Sequence, residues 1–145
     1  MDTGKYSDGI CTVARGVARV GDAWSMLILR DIGLGLGRFD QIRQSLGIAP
    51  NILTRRLAAL VEDGLLEKRR YSERPPRDEY VLTTAGRDFM PVLQAIAAWG
   101  RKHHGGGPTS YFVDEETGEQ VQPVVIDAAT GAPIGSRPLR FVRPE

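Results

Sequence analysis

The hydrophobic period of this chain changes at Gly64, and that change constrains the fold more than any other feature. Before it, from Phe39 to Asp63, apolar residues recur at three and four, the spacing of an amphipathic helix. After it they alternate, the spacing of strands with one covered face. Phe39, Ile42 and Leu46 mark a short first helix. Gly47-Ile48-Ala49 breaks it, and Pro50 suits the first position of the next helix, where its missing N–H would have no partner. That helix is expected to run to about Asp63, with Ile52 or Leu53, Leu57, Leu60 and Val61 facing inward and Gly64 as its C-terminal cap. A short helix, a tight turn with glycine and a longer helix make a helix-turn-helix unit. Beyond it, Leu66–Tyr71 and Asp78–Leu82 read as two strands around Ser72–Arg77, whose Pro75-Pro76 bars a helix. The result is a hairpin with a basic tip.

Helices flank this unit. Val13, Val17 and Val20 keep helical spacing after Cys11, and Gly21 gives a stop. Asp22 caps a second segment with apolar Trp24, Leu27, Ile28 and Ile32, and with Leu29 beside them. Because it is apolar on most of its circumference, it is expected to be the central buried helix, ended by Gly33, Gly35 and Gly37. Thr83-Thr84-Ala85-Gly86 opens a last helix to about His103, with Phe89, Val92, Leu93, Ile96 and Trp99 in helical register and Pro91 early enough to be tolerated. Gly105-Gly106-Gly107-Pro108 reads as a linker, dividing residues 1–104 from a tail, 105–145. The tail has turn signals at Thr117-Gly118 and Thr130-Gly131 and β-like runs at Tyr111–Val113, Val121–Ile126 and Leu139–Val142. It is expected to be a small β appendage or an arm. The predicted class is α+β: a mainly helical winged helix-turn-helix with a two-stranded β wing and a small β-like C-terminal tail.

Composition narrows the setting. At 145 residues the chain can bury a core without staples, and its one cysteine excludes both a disulfide framework and cysteine-based zinc fingers. No apolar run approaches the roughly 18 residues of a membrane span. The polar, acid-bearing start from Met1 to Asp8 is not a secretory signal, so the expected location is the cytoplasm, with no membrane partner. The net charge of +1 hides a split: residues 105–145 hold three arginines against six acids, −3, which leaves +4 on residues 1–104.

Duplex DNA offers phosphates for affinity and major-groove base edges for specificity, and a helix-turn-helix presents the start of its second helix to those edges. Here that start carries Pro50, Asn51, Thr54 and Arg55. Asn pairs with adenine, Arg with guanine, and Thr hydrogen-bonds or touches a thymine methyl. The amides of the same turn can hold a phosphate. Arg74 and Arg77 around two prolines form a cationic tip suited to backbone or minor groove. Arg38, Lys68, Arg69 and Arg70 are candidates for flanking phosphate contacts, though strand alternation sets Arg69 opposite its neighbours. Taken singly, each of these residues also fits an ordinary solvated surface. Their convergence points to double-stranded DNA as partner, with a winged-helix module that contacts another protein as the alternative.

Several blocks resemble the HxlR-type bacterial regulators. These are Cys11–Arg15, Gly21–Arg30, Arg38–Ile42, Ile48–Leu57, Glu62–Leu65 and Pro75–Thr83, in order and at matching spacing over about Gly9 to His103. The resemblance implies a MarR-like homodimer in which the first and last helices pack across a two-fold. It also implies a palindromic or repeated operator and a role as a repressor or activator rather than an enzyme. In some members of that family a cysteine near this position senses oxidants, and the matching residue is Cys11. A thiol at a helix N-terminus is a possible sensor, with Lys5 or Arg15 as helpers, while a small buried hydrophobe is the plainer role. His103-His104 carries no accompanying carboxylate cluster, so no metal site, cofactor or catalytic residue is assigned. Trp24, Phe89 and Trp99 suggest a small apolar effector near the seam, although such residues more often belong to a core.

Overall fold

The computed structural model describes residues 9–144; Lys5, one of the two helpers considered for Cys11, lies outside them. Five helices and one antiparallel hairpin are described: α1 (Thr12–Val20), α2 (Ala23–Gly33), α3 (Phe39–Leu46), α4 (Pro50–Glu62), β1 (Leu66–Glu73), β2 (Pro76–Leu82) and α5 (Thr84–His104). The expected class is thus observed. The chain packs as two compact units, one ending at Met90 and one starting at Pro91.

The first unit is organised by α2. Asp22 caps it, its carboxylate accepting the Ser25 N–H at 2.9 Å and the Ser25 hydroxyl at 2.6 Å. Ile28 and Leu29 are fully buried, as the apolar circumference of this helix requires. Against it, α3 contributes Ile42 and α4 contributes Leu53, Leu57 and Leu60, each at 0–1% exposure. Each such side chain contributes roughly 1.5–3 kcal/mol through apolar burial. Leu53 therefore takes the inward position that the sequence left between it and Ile52, which is half-buried. Val61 is a correction: expected inside, it is exposed at the end of α4, where the buried stripe has rotated past it. The cap of α4 is also one residue earlier than expected, Asp63, with Gly64 following at φ 79°.

The hairpin is longer than its sequence signals. β1 continues through Ser72 and Glu73, and β2 begins at Pro76, which pairs with Glu73; a register shift lies between Arg70 and Ser72. Proline fits there because a first strand residue at the tip need not donate to the ladder. One contact ties the hairpin to the loop before α3: the Tyr80 N–H donates to the Gly37 carbonyl at 2.7 Å. A Cβ on residue 37 would lie 2.5 Å from the Tyr80 carbonyl oxygen, so only glycine lets the two backbones approach this closely.

In the second unit, α5 continues through Pro91 to His104, and a long arm follows. Its strand-like runs reduce to two isolated bridges, Val113–Gln120 and Ile126–Pro133, while Leu139–Val142 forms no bridge at all. His103 and His104 both lie against Trp99, with ring centroids at 5.5 and 5.3 Å. On α1, Val20 is buried but Val13 and Val17 are 71% and 44% exposed; on α5, Trp99 is 60% exposed. These residues are surface, not core, in the single chain.

Replacing Leu53 with alanine is expected to cost about 2–5 kcal/mol of unfolding free energy. Urea denaturation followed by tryptophan fluorescence checks this; a loss below about 1 kcal/mol would show that the floor of α4 is not packed as described.

Candidate nucleic-acid interface

The turn between α3 and α4 sets the aim of α4. Gly47 closes α3 in the left-handed region at φ 65°, and Ile48 is buried at 2% exposure, pinning the turn to the core. Pro50 then occupies the first helical position. With Leu53, Leu57 and Leu60 committed to the interior, the helical period leaves Asn51, Thr54 and Arg55 on the outer face, all exposed. Pro50, also exposed, stands at their head.

Two local bonds refine what this face offers. The Thr54 hydroxyl donates to the Pro50 carbonyl at 2.9 Å, so Thr54 presents a lone pair and a methyl rather than a donor. The Ile52 and Leu53 N–H groups both turn to the Ala49 carbonyl, at 3.1 and 3.0 Å. The expected set of open amides at this helix start therefore narrows to that of Asn51. Arg55 makes no ion pair among the described residues, which leaves its whole charge for a ligand. Its neighbour Arg56 points elsewhere, 3.6 Å from the Asp22 carboxylate.

The wing behaves differently from its sequence. Its register sets Arg69 opposite Glu79 and Arg70 opposite Asp78. Arg69 accordingly pairs with Glu79 at 3.0 Å, and Arg70 with Asp78 at 2.7 Å and Glu73 at 3.5 Å. Lys68 lies 3.9 Å from Asp78. The basic run is thus neutralised within the hairpin, and the hairpin cations left without an acid among the described residues are Arg74 and Arg77 at the tip, both exposed. Arg38 serves two local purposes: its N–H donates to the Gln41 side chain at 3.1 Å, and its guanidinium stacks over Tyr71 of β1 at 4.1 Å. That stack joins the start of α3 to the wing.

The structure therefore brings together Pro50, Asn51, Thr54 and Arg55 on one helix face, and Arg74 with Arg77 at the tip. Arg38 and Arg69 hold contacts inside the protein. Arg43 and Gln44 were not singled out from the sequence, yet they line a concavity with Asp40 and Gly47–Pro50 beside the start of α4. The signal was a basic residue in the last turn of the short helix, facing the same side as the turn.

Cys11 is the N-cap of α1, half-buried, with its sulfur accepting the Ala14 N–H at 3.4 Å. The Arg15 side chain donates to the Gly9 carbonyl. Among the described residues no group of three or more metal-ligating side chains assembles, and no helix is long and apolar enough to cross a membrane.

Helix-turn-helix, outward polar start of the second helix and cation-tipped wing define a winged helix-turn-helix DNA-binding protein. The model of the HxlR-like helix-turn-helix family matches residues 19–108, and the chain belongs to that family of transcriptional regulators, which are not enzymes. It is 37% identical to the uncharacterized HTH-type transcriptional regulator Rv3095 of Mycobacterium tuberculosis, over 87% of this chain and 81% of that one. Among solved structures, PA1607, a candidate transcription factor, superposes with a TM-score of 0.87 at 36% identity, covering 97% of this chain and 99% of its own. PA1374 from Pseudomonas aeruginosa, also a candidate transcription factor, gives 0.62 at 45% identity, covering 91% and 92%.

Removing the acid that occupies Arg69 is expected to free it for phosphate. Glu79→Gln should tighten DNA binding by up to about fivefold, the about 0–1 kcal/mol that breaking an exposed ion pair costs, while changing stability by less than about 1 kcal/mol. Fluorescence anisotropy measures the affinity and urea denaturation the stability; an unaltered affinity would mean that Arg69 faces away from the duplex.

Proposed function

We propose that the chain acts as a homodimer that reads a palindromic or repeated operator in the cytoplasm. In this reading residues 1–104 read DNA and dimerise, and 105–145 are an accessory arm. The observation that carries it is the outer face of α4: Asn51, Thr54 and Arg55 stand exposed above a fully buried leucine floor, and Arg55 has no ion pair among the described residues. Asn51 and Arg55 read base edges, and Thr54 adds its methyl or lone pair. Arg74, Arg77 and Arg43 neutralise phosphates. Arg38 acts through Tyr71, fixing where the wing stands, and Arg69 exchanges Glu79 for phosphate on binding. That exchange is cheap, because an exposed ion pair contributes only about 0–1 kcal/mol.

The homodimer is supported by exposed apolar side chains: Val13 and Val17 on α1, and Val92, Ile96 and Trp99 on α5. Packing these across a two-fold would place the two α4 helices about 34–36 Å apart, in successive major grooves. Control at this seam is part of the same reading. A small apolar effector, or modification of Cys11 at the start of α1, would alter the helix that carries Val13 and Val17 and with it the spacing of the reading heads.

Selection of bound fragments from random DNA, with and without oxidant, tests the reading. Arg55→Ala should abolish preference for the selected sequence, costing about 1–3 kcal/mol on that sequence alone. Arg77→Ala should weaken binding to every sequence alike and lower the salt slope by about 1. Equal, sequence-independent losses from both would refute this division of labour, and no enrichment at all would favour a protein-contacting module. Cys11→Ser should retain operator binding and remove any response to oxidant; a response that survives the substitution excludes the thiol as the control point.

A further inference from the structure

The arm carries a duplication that DNA reading does not use. Asp114-Glu115-Glu116-Thr117-Gly118 and Asp127-Ala128-Ala129-Thr130-Gly131 are two copies of one device. In each, the aspartate carboxylate accepts a backbone N–H two residues on, at 2.9 Å in both copies. The threonine hydroxyl accepts the N–H two residues further, at 3.2 Å in both. Both glycines sit at φ 74° and donate to the aspartate carbonyl, at 2.7 and 2.6 Å. Flanking bonds match as well: Val121 donates to Phe112 at 2.8 Å, and Ile134 to Val125 at 2.9 Å.

Turn chemistry thus fixes two hairpin tips, but the briefly bridged segments beside them have no cover among the described residues. Tyr111, Phe112, Val113, Val124, Val125 and Ile126 are all 45–66% exposed in the single chain. An isolated two-stranded hairpin is marginally stable at best, and a repeated one with bare apolar flanks needs a surface to lie on. The chemistry of the chain says which. An arm of charge −3 is repelled by a polyanion, which removes nucleic acid, whereas residues 1–104 of this same chain carry +4. The arm also follows directly from α5, whose Val92, Ile96 and Trp99 are exposed. The matches to PA1607 and Rv3095 each cover more of the chain than residues 1–104 supply, so the arm belongs to the shared architecture.

We propose that the arm, residues 109–142, is a dimer clasp whose apolar flanks close on a second copy of this chain, carrying the α1 and α5 seam past the end of the helix. The clasp rests on the homodimer proposed above. Sedimentation equilibrium of the full chain tests it, comparing the wild type with Phe112→Ser/Val125→Ser and with the tip control Glu116→Gln. The double variant should weaken dimerisation by about tenfold or more, and the control should leave it unchanged. Amide exchange should show the Val121 and Ile134 N–H groups gaining protection as concentration rises through the dimerisation range. A wild-type dimer with an unaltered constant in the double variant, or protection that ignores concentration, overturns the clasp and leaves the homodimer standing. A drop in melting temperature of the double variant at dilutions where both proteins are monomeric also overturns it, by showing the arm to hold its own head. A wild type that stays monomeric at every concentration removes the homodimer, and the clasp with it.

Discussion

The leucine floor beneath α4 is the constraint on which the DNA-reading arrangement depends. Leu53, Leu57 and Leu60 are almost completely excluded from solvent. A helix has one period, so fixing one face fixes the other, and Asn51, Thr54 and Arg55 are held outward by apolar burial of the opposite face. This matters for recognition, because Arg55, with no ion pair among the described residues, keeps its charge and donors for a base edge, while Thr54, whose hydroxyl donates to the Pro50 carbonyl, keeps a lone pair and a methyl. The turn reinforces the aim: buried Ile48 and left-handed Gly47 leave α4 one entry angle.

The wing is positioned by a second set of contacts that works through backbone and rings. Tyr80 donates to Gly37, and Arg38 stacks over Tyr71, so neighbouring residues of one loop grip both strands of the hairpin. Cross-strand ion pairs then cancel the charge along the hairpin stem and concentrate what remains on Arg74 and Arg77. A finger that is neutral along its stem and cationic at its end favours approach by the tip. A uniformly basic strand would bind phosphate along its whole length and blur its register on the duplex.

Much of this was legible in the residues. The period change at Gly64, the Gly47–Pro50 turn and the Pro75-Pro76 tip are local signals, and they gave the helix-turn-helix, the wing and the outward face of α4. What escaped the sequence depends on pairing across the chain. Lys68-Arg69-Arg70 reads as a basic run until the register sets Asp78 and Glu79 opposite it, and no local signal at Arg38 shows that Tyr71 lies under its guanidinium. Val61 went astray for a related reason: a helical period predicts a stripe, but the neighbours decide where the stripe runs out. In the arm the Thr-Gly turns were visible singly, while their equivalence lies in repeated side-chain bonds from Asp114 and Asp127.

These contacts also bear on where regulation can enter. The first unit is tied together at its reading end: α4 to the core through leucines, the α3–α4 turn through Ile48, the wing to the α3 entry through Gly37 and Arg38. Moving Asn51 relative to Arg74 would mean breaking several of these contacts at once, whereas a packed interior responds to a ligand by switching between discrete arrangements rather than by bending. Exposed apolar side chains that the proposed seam would cover are on α1 and α5. A dimeric reader can lose its operator without any change inside a head, because two rigid heads displaced from the groove repeat no longer seat together. In the homodimer proposed above, the economical place for a signal is therefore the seam, and Cys11 caps one of the helices that would form it.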